Sequence, residues 1–189
     1  GSALQSIAHL EDEQRRLKEQ IAALRAQLAE TQTRQTTTQA TVADLEAELK
    51  AQQALAGLTP RSGPGLLLTL SDSSATTPAG TAANDYIVHD TDVRDVLNAL
   101  WSAGAEAIAI NGERLVVTSS VVCVGTVIIV NDTRLSPPYT IATLGDRARL
   151  AAAIDTSPQL AALRGRAREL GLQLKVVPAD AVVVPAYRG

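Results

Sequence analysis

Residues 3–58 read ALQSIAHLEDEQRRLKEQIAALRAQLAETQTRQTTTQATVADLEAELKAQQALAGL, and their spacing decides the fold of the first third of the chain. Ile7, Leu10, Gln14, Leu17, Ile21, Leu24, Leu28, Thr31, Gln35, Thr38, Val42, Leu45, Leu49, Gln52 and Ala56 follow one another at alternating steps of three and four. A period of 3.5 is the a/d seam of a left-handed coiled coil, because it keeps one stripe of a slightly underwound helix facing a partner. No Gly or Pro interrupts the run before Gly57 and Pro60, where a helix should stop. At a rise of ~1.5 Å per residue the predicted rod is ~75 Å long.

Thr31, Gln35 and Thr38 put three polar residues in consecutive seam positions, within a Thr-rich stretch of poor helix propensity. Residues 31–41 therefore fit either a hairpin loop, folding Ile7–Leu28 back on Val42–Leu49, or a weak section of one continuous helix. Leu28 to Val42 spans two whole heptads, and a loop has no reason to preserve heptad phase, so the phase favours the rod. One helix cannot bury its own stripe, and the seam calls for company. Glu13 and Lys18 attract across a parallel dimer, but the other flanking positions are weakly coded. A homodimer and a coiled-coil protein partner both fit, as does packing of the helix on its own domain.

The rest of the chain predicts a compact α+β domain over 59–189. Its expected form is a mixed or antiparallel sheet with helices packed on one face. Leu66–Leu70 suits a buried strand after the Ser62–Gly65 turn signal, and residues 71–85 read as a long loop. Tyr86–Val88 predicts a short strand. Asp90 or Thr91 then caps a helix to Ala103, with Val93, Val96, Leu97, Leu100 and Trp101 on its apolar face and Gly104 as its stop. Four strands follow at 107–110, 115–118, 121–124 and 127–130. The first two are joined by Asn111-Gly112, the strongest short hairpin signal, and the last two by Gly125-Thr126. A strand at 139–144, helices at about 146–154 and 158–170 and a final strand pair at 172–177 and 181–184 complete the order.

Composition narrows the function. The chain of 189 residues has 17 basic against 20 acidic side chains, which excludes a nucleic-acid partner held by bulk positive charge. It has no Phe and only four aromatics, Tyr86, Trp101, Tyr139 and Tyr187, too few for a base-stacking platform. A single cysteine, Cys123, excludes an intrachain disulfide and a multi-thiolate zinc site; with only His9 and His89 as imidazoles, no metal and no cofactor are expected. There is no dinucleotide fingerprint and no phosphate loop. No apolar run is long enough to span a bilayer. Gly1-Ser2 reads as a remnant of tag removal and the chain as part of something longer.

The reactive side chains gather in Asn84–Asp92. His89 beside Asp90 and Asp92 could serve as a general base or an N/O metal ligand, but capping of a helix start explains the same letters. Tyr86, His89, Asp90, Asn111 and Tyr139 are the candidate ligand or partner contacts; no catalytic residue is assigned. Cys123, within an apolar strand, should be buried and inert. A hydrolase would need Cys123 or Ser136 beside His89. Arg147, Arg149, Arg164, Arg166 and Arg168 form a basic patch, read as a solvated helix face or as a contact for anionic lipid or an acidic partner.

Four blocks occur in order: Gly63-Pro64-Gly65 before an apolar strand; Val88-His89-Asp90-Thr91-Asp92; the run from Leu97 through Trp101 and Gly104 to Gly112; and Ser136-Pro137-Pro138-Tyr139 followed by Ile141–Gly145. In these the chain resembles, over about residues 40–187, the bacterial DUF881 family, which includes the YlxW-like proteins. The resemblance implies a single-pass cell-membrane protein, with one transmembrane helix, a coiled coil and this domain on the extracytoplasmic side. It implies no defined activity and no catalytic residues. Members tend to sit near cell-division and envelope genes. The expected function is accordingly a non-enzymatic, membrane-tethered envelope protein that dimerises or captures a partner through Ile7, Leu10, Leu17, Ile21, Leu24, Leu28, Val42, Leu45 and Leu49. The alternative is an extracytoplasmic domain that senses a small envelope metabolite or nucleotide.

Overall fold

The computed structural model describes residues 2–75, 83–125 and 127–188, with side chains from His9 onward; Ile7's side chain and residues 76–82 of the 71–85 loop lie outside the described residues. The chain divides into two compact units, Gly1–Gln52 and Gln53–Gly189. The long helix α1 runs unbroken over Ser2–Leu55, so residues 31–41 are helix and not a hairpin loop. Its threonines are held there by their own hydroxyls. Thr31, Thr36 and Thr38 donate at 2.9 Å to the carbonyls of Gln27, Gln32 and Arg34, four residues back. Thr33, Thr37 and Thr41 do the same at 3.0 Å. Such back-bonding satisfies the hydroxyl without ending the helix. Among the described residues the seam stays half-exposed: Leu10, Leu17, Ile21, Leu24, Leu28, Val42, Leu45 and Leu49 are between 48% and 63% exposed.

The second unit is built on a five-stranded antiparallel sheet. Its strands are β1 (Arg61–Ser71), β2 (Ala107–Ile110), β3 (Glu113–Leu115), β7 (Tyr139–Leu144) and β8 (Gln173–Val184), in the order β3-β2-β7-β1-β8. A smaller sheet pairs β4 (Val121–Val124), β5 (Val127–Val130) and β6 (Thr133–Leu135) in sequence. The helices are α2 (Asp90–Ser102), α3 (Arg147–Thr156) and α4 (Ala161–Glu169). Strand alternation puts Leu66, Leu68, Leu70, Ile108, Ile110 and Ile141 on one face, where they form a single core with Val93, Val96 and Leu100 of α2, Leu150 and Ile154 of α3, and Leu163 of α4. A small separate cluster of Ala107, Ala109, Leu144, Val182 and Val184 lines the other face and contains no helical residue. The fold is α+β with its helices on one face.

Several local details differ from the sequence reading. Tyr86 ends a short 3-10 turn (Ala83–Tyr86) instead of starting a strand. The hairpin after Asn111-Gly112 is shorter than expected: β3 ends at Leu115, because Val116 turns away through Ser119. Thr133–Leu135 is an additional strand, entered through Asn131 and Asp132 at φ 48° and 64°, a two-residue hairpin turn whose residues both favour that conformation. The helix expected at 158–170 is a 3-10 turn (Pro158–Leu160) leading into α4. The expected terminal strand pair is one strand, β8, which pairs with β1 along its length across an irregularity between Gly63 and Gly65. Trp101, read as part of the apolar face of α2, is 41% exposed.

Two glycines shape this framework. Gly104, at φ 88°, closes α2: Gly104 N–H donates to Trp101 and Ala105 N–H to Leu100, capping the last free carbonyls of the helix. Gly65 sits where β1 passes β7, and a Cβ there would lie 1.9 Å from the Thr143 carbonyl oxygen. That is backbone against backbone, with no side chain able to yield. Gly65→Ala should therefore cost about 3 kcal/mol or more in urea unfolding. Gly63→Ala, where nothing lies within 4 Å, should cost under about 1 kcal/mol; equal costs would show that the close approach is not what fixes the glycine.

Candidate functional site

The start of α2 is built as a cap. His89 is the N-cap residue in extended conformation, and its backbone N–H donates to the Asp92 carboxylate at 2.8 Å, three residues on. The imidazole Nε2 lies 2.8 Å from the Asn84 carbonyl oxygen, and the backbone N–H of Val88 donates to Asp72 at 2.7 Å. Asp90 pairs with Arg94 one turn along the helix at 3.2 Å, half in solvent. Tyr86 is buried, and its carbonyl accepts from Ser73 N–H at 2.9 Å.

Asn111 and Tyr139 belong to a second group. Asn111 adopts φ 47° at the β2–β3 turn. Its side chain clamps the segment that leads into β7: Oδ1 accepts from Thr140 N–H at 2.6 Å, while Nδ2 donates to the carbonyls of Ser136 and Pro138 at 3.4 Å. The Pro137-Pro138 bond in that segment is cis. Tyr139 is 2% exposed, and burial pushes its hydroxyl pKa up, helped by the charges of Asp72 and Cys123. It is therefore a neutral phenol near pH 7. Among the described residues no hydrogen bond joins this group to the His89 group.

Asp92, which the sequence offered only as a neighbour of His89, is the polar centre of the α2 start. It is 8% exposed and forms an ion pair with Arg166 of α4, whose guanidinium also donates to the Ile87 carbonyl at 3.3 Å. The reading of the arginines as a solvated helix face holds for Arg147, Arg149 and Arg168, which are exposed, and is corrected for Arg164 and Arg166, which are partly buried. Arg164 donates to the Ile154 carbonyl at 3.0 Å, and Arg147 pairs with Asp180. Arg164 and Arg166 thus tie α4 to the rest of the domain, while the Arg147 pair lies in solvent. Cys123 is also corrected: it is partly exposed, with its thiol 3.3 Å from the Gly125 carbonyl, because the small sheet leaves one side of β4 open. No described contact brings Cys123 or Ser136 to His89. Among the described residues no group of three His, Cys, Asp or Glu side chains could hold a metal ion.

A cleft of about 750 Å³ lies elsewhere in the second unit, lined by Leu55, Leu58, Trp101, Arg114, Val117 and Tyr187 among others. None of its residues figured in the sequence reading of sites. Arg114 carried no signal there, since it fell in the connector before the strand expected at 115–118.

Removing one partner of the Asp92–Arg166 pair leaves a buried, unmatched charge. Asp92→Asn should lower unfolding free energy by about 3 kcal/mol, and Asp90→Asn, which breaks only the exposed pair, by under about 1 kcal/mol. Denaturant titration of both variants checks the ordering; equal costs would show that the buried carboxylate is not what holds the start of α2.

Comparison with known proteins places the chain. The family described as "Bacterial protein of unknown function (DUF881)" matches residues 48–189. UPF0749 protein Rv1825 of Mycobacterium tuberculosis is 34% identical over 156 residues, covering 80% of this chain and 49% of that protein. UPF0749 protein YlxW of Bacillus subtilis is 39% identical over 84 residues, 44% of this chain and 36% of that protein. The chain thus spans about half the length of the mycobacterial relative and less of the Bacillus one. A crystal structure of an uncharacterized conserved protein from Mycobacterium tuberculosis superposes with a TM-score of 0.60 at 35% identity, over 75% of this chain and 92% of that one. With a family match over residues 48–189, the chain belongs to the DUF881 family of bacterial proteins.

Proposed function

We propose that the protein is a non-enzymatic, membrane-tethered envelope component that self-associates through α1. The observation that carries the reading is the row of half-exposed Leu, Ile and Val side chains in unbroken heptad phase along one continuous helix. Each fully buried Leu, Ile or Val is worth ~1.5–3 kcal/mol relative to exposure, so the eight from Leu10 to Leu49 supply ample drive once a second stripe covers them. A second copy of the same chain is the occupant. Its stripe has the same period, and in a parallel pair Glu13 of one helix stands opposite Lys18 of the other. Thr31, Gln35 and Thr38 weaken the middle of that seam and would favour one register over slipped ones, as polar seam residues do.

The tether rests on the family. Residues 48–189 carry the family match, and the mycobacterial relatives are about twice as long as the matched region. Among the described residues no helix is long and apolar enough to cross a membrane. The anchor, the extracytoplasmic placement and a link to cell division are proposals resting on that kinship, and α1 serves in this reading as the spacer between anchor and domain.

Light scattering of the purified chain at micromolar concentration should give twice the monomer mass. Ile21→Asp, which buries a charge in the seam, should give monomer at the same concentration while leaving the α+β domain folded. A wild-type monomer, or an Ile21→Asp variant that still dimerises, would remove the self-association reading.

A further inference from the structure

The cleft of about 750 Å³ in the second unit combines two features that seldom coexist without a ligand. Its walls are large apolar side chains left in water. Leu55 is 83% and Leu58 50% exposed, Trp101 is 41% exposed, and Val117 is fully exposed. Val117 is held out by a tight turn in which Ser119 N–H donates to the Val116 carbonyl and Val116 N–H to the Ser119 hydroxyl, both at 2.9 Å. An apolar cluster built to stand in solvent marks a binding surface more often than an accident of folding.

The cleft's second feature is Arg114, only 5% exposed. Its Nη1 donates to the Pro185 carbonyl at 3.0 Å, but its Nε is buried and has no acceptor among the described residues. Among the described residues no carboxylate lies within ion-pair distance of it. Glu106, the acid lining the same cleft, is already paired with Arg61 at 2.6 Å. Burial and the neighbouring Arg61 lower the pKa of Arg114, yet a guanidinium stays protonated. The result is a buried cation with an unsatisfied donor, a costly arrangement that an incoming anion relieves.

The geometry points to a binding site for a single amphiphilic anion, its carboxylate or phosphate at Arg114 and its hydrocarbon chain along Leu55, Leu58, Trp101 and Val117. The volume lies within the range of small-molecule sites, and the lining has their usual make-up of apolar walls with one placed charge. This inference does not rest on self-association, since it can be tested on the monomeric Ile21→Asp variant as well as on the native chain.

Trp101 is the only tryptophan, so its fluorescence reports the cleft directly. Titration with decanoate below its micellar range should give a saturable change, and decanol, with the same chain and no charge, should bind at least about tenfold more weakly. Arg114→Gln should weaken decanoate by a similar factor. Val117→Asp, at a fully exposed position that cannot disturb the core, should abolish the response, and it decides the matter if Arg114→Gln does not fold. The absence of a saturable change, equal binding of decanol, or unchanged affinity in Val117→Asp would overturn the inference. So would binding to phosphatidylcholine–phosphatidylglycerol vesicles without binding of free decanoate, which would make the surface a membrane contact and not a pocket for one molecule.

Discussion

A helix that carries an apolar stripe on one side cannot cover it by folding on itself, and α1 presents this constraint over 54 residues. Nucleating a helix is unfavourable, and propagation alone gives little stability in water. The threonine hydroxyls that bond back to the preceding turn remove an unsatisfied donor without adding a hydrophobic contact. What is left to stabilise the rod is coverage of Leu10 through Leu49 by another helix. The proposed pairing of two copies meets that demand with the residues already present.

The second unit obeys a different constraint, the shared ladder of β1. This strand pairs with β7 on one side and β8 on the other, so its backbone is committed in both directions. Gly65 allows the crowding against Thr143, and the Leu66–Leu68–Leu70 face supplies the floor on which α2, α3 and α4 pack. The polar interactions above this floor are mostly structural. Asp92 and Arg166 join two helices, and Asn111 fixes the Ser136–Thr140 segment. The apolar cleft lined in part by Arg114 stands apart from these as a place where polar and apolar needs are both left unmet.

The most legible parts of the sequence were those set by local or periodic physics. Heptad phase across Leu28–Val42 predicted the continuous rod, Asn111-Gly112 the hairpin and Gly104 the end of α2, and the strand expected at 139–144 has the bounds the structure shows. The misreadings fall where distant partners decide. Pro178 and Asp180 look like a turn between two strands, but β1 carries both halves of β8 past an irregularity at Gly63–Gly65. Asn131-Asp132 had the residue types of a tight turn and could have been recognised. Asp92, Arg166 and Arg114 could not: each owes its role to a partner, or the lack of one, far along the chain.

Dilution tests the unpartnered stripe most directly, because a helix stabilised by a second copy must lose structure when the copies separate. Far-UV circular dichroism at 222 nm, followed from about 100 μM to below 1 μM, should show helical signal falling with concentration as α1 frays, with the α+β contribution unchanged. A helical signal that stays constant over that range, in a chain that sediments as a monomer throughout, would contradict the account.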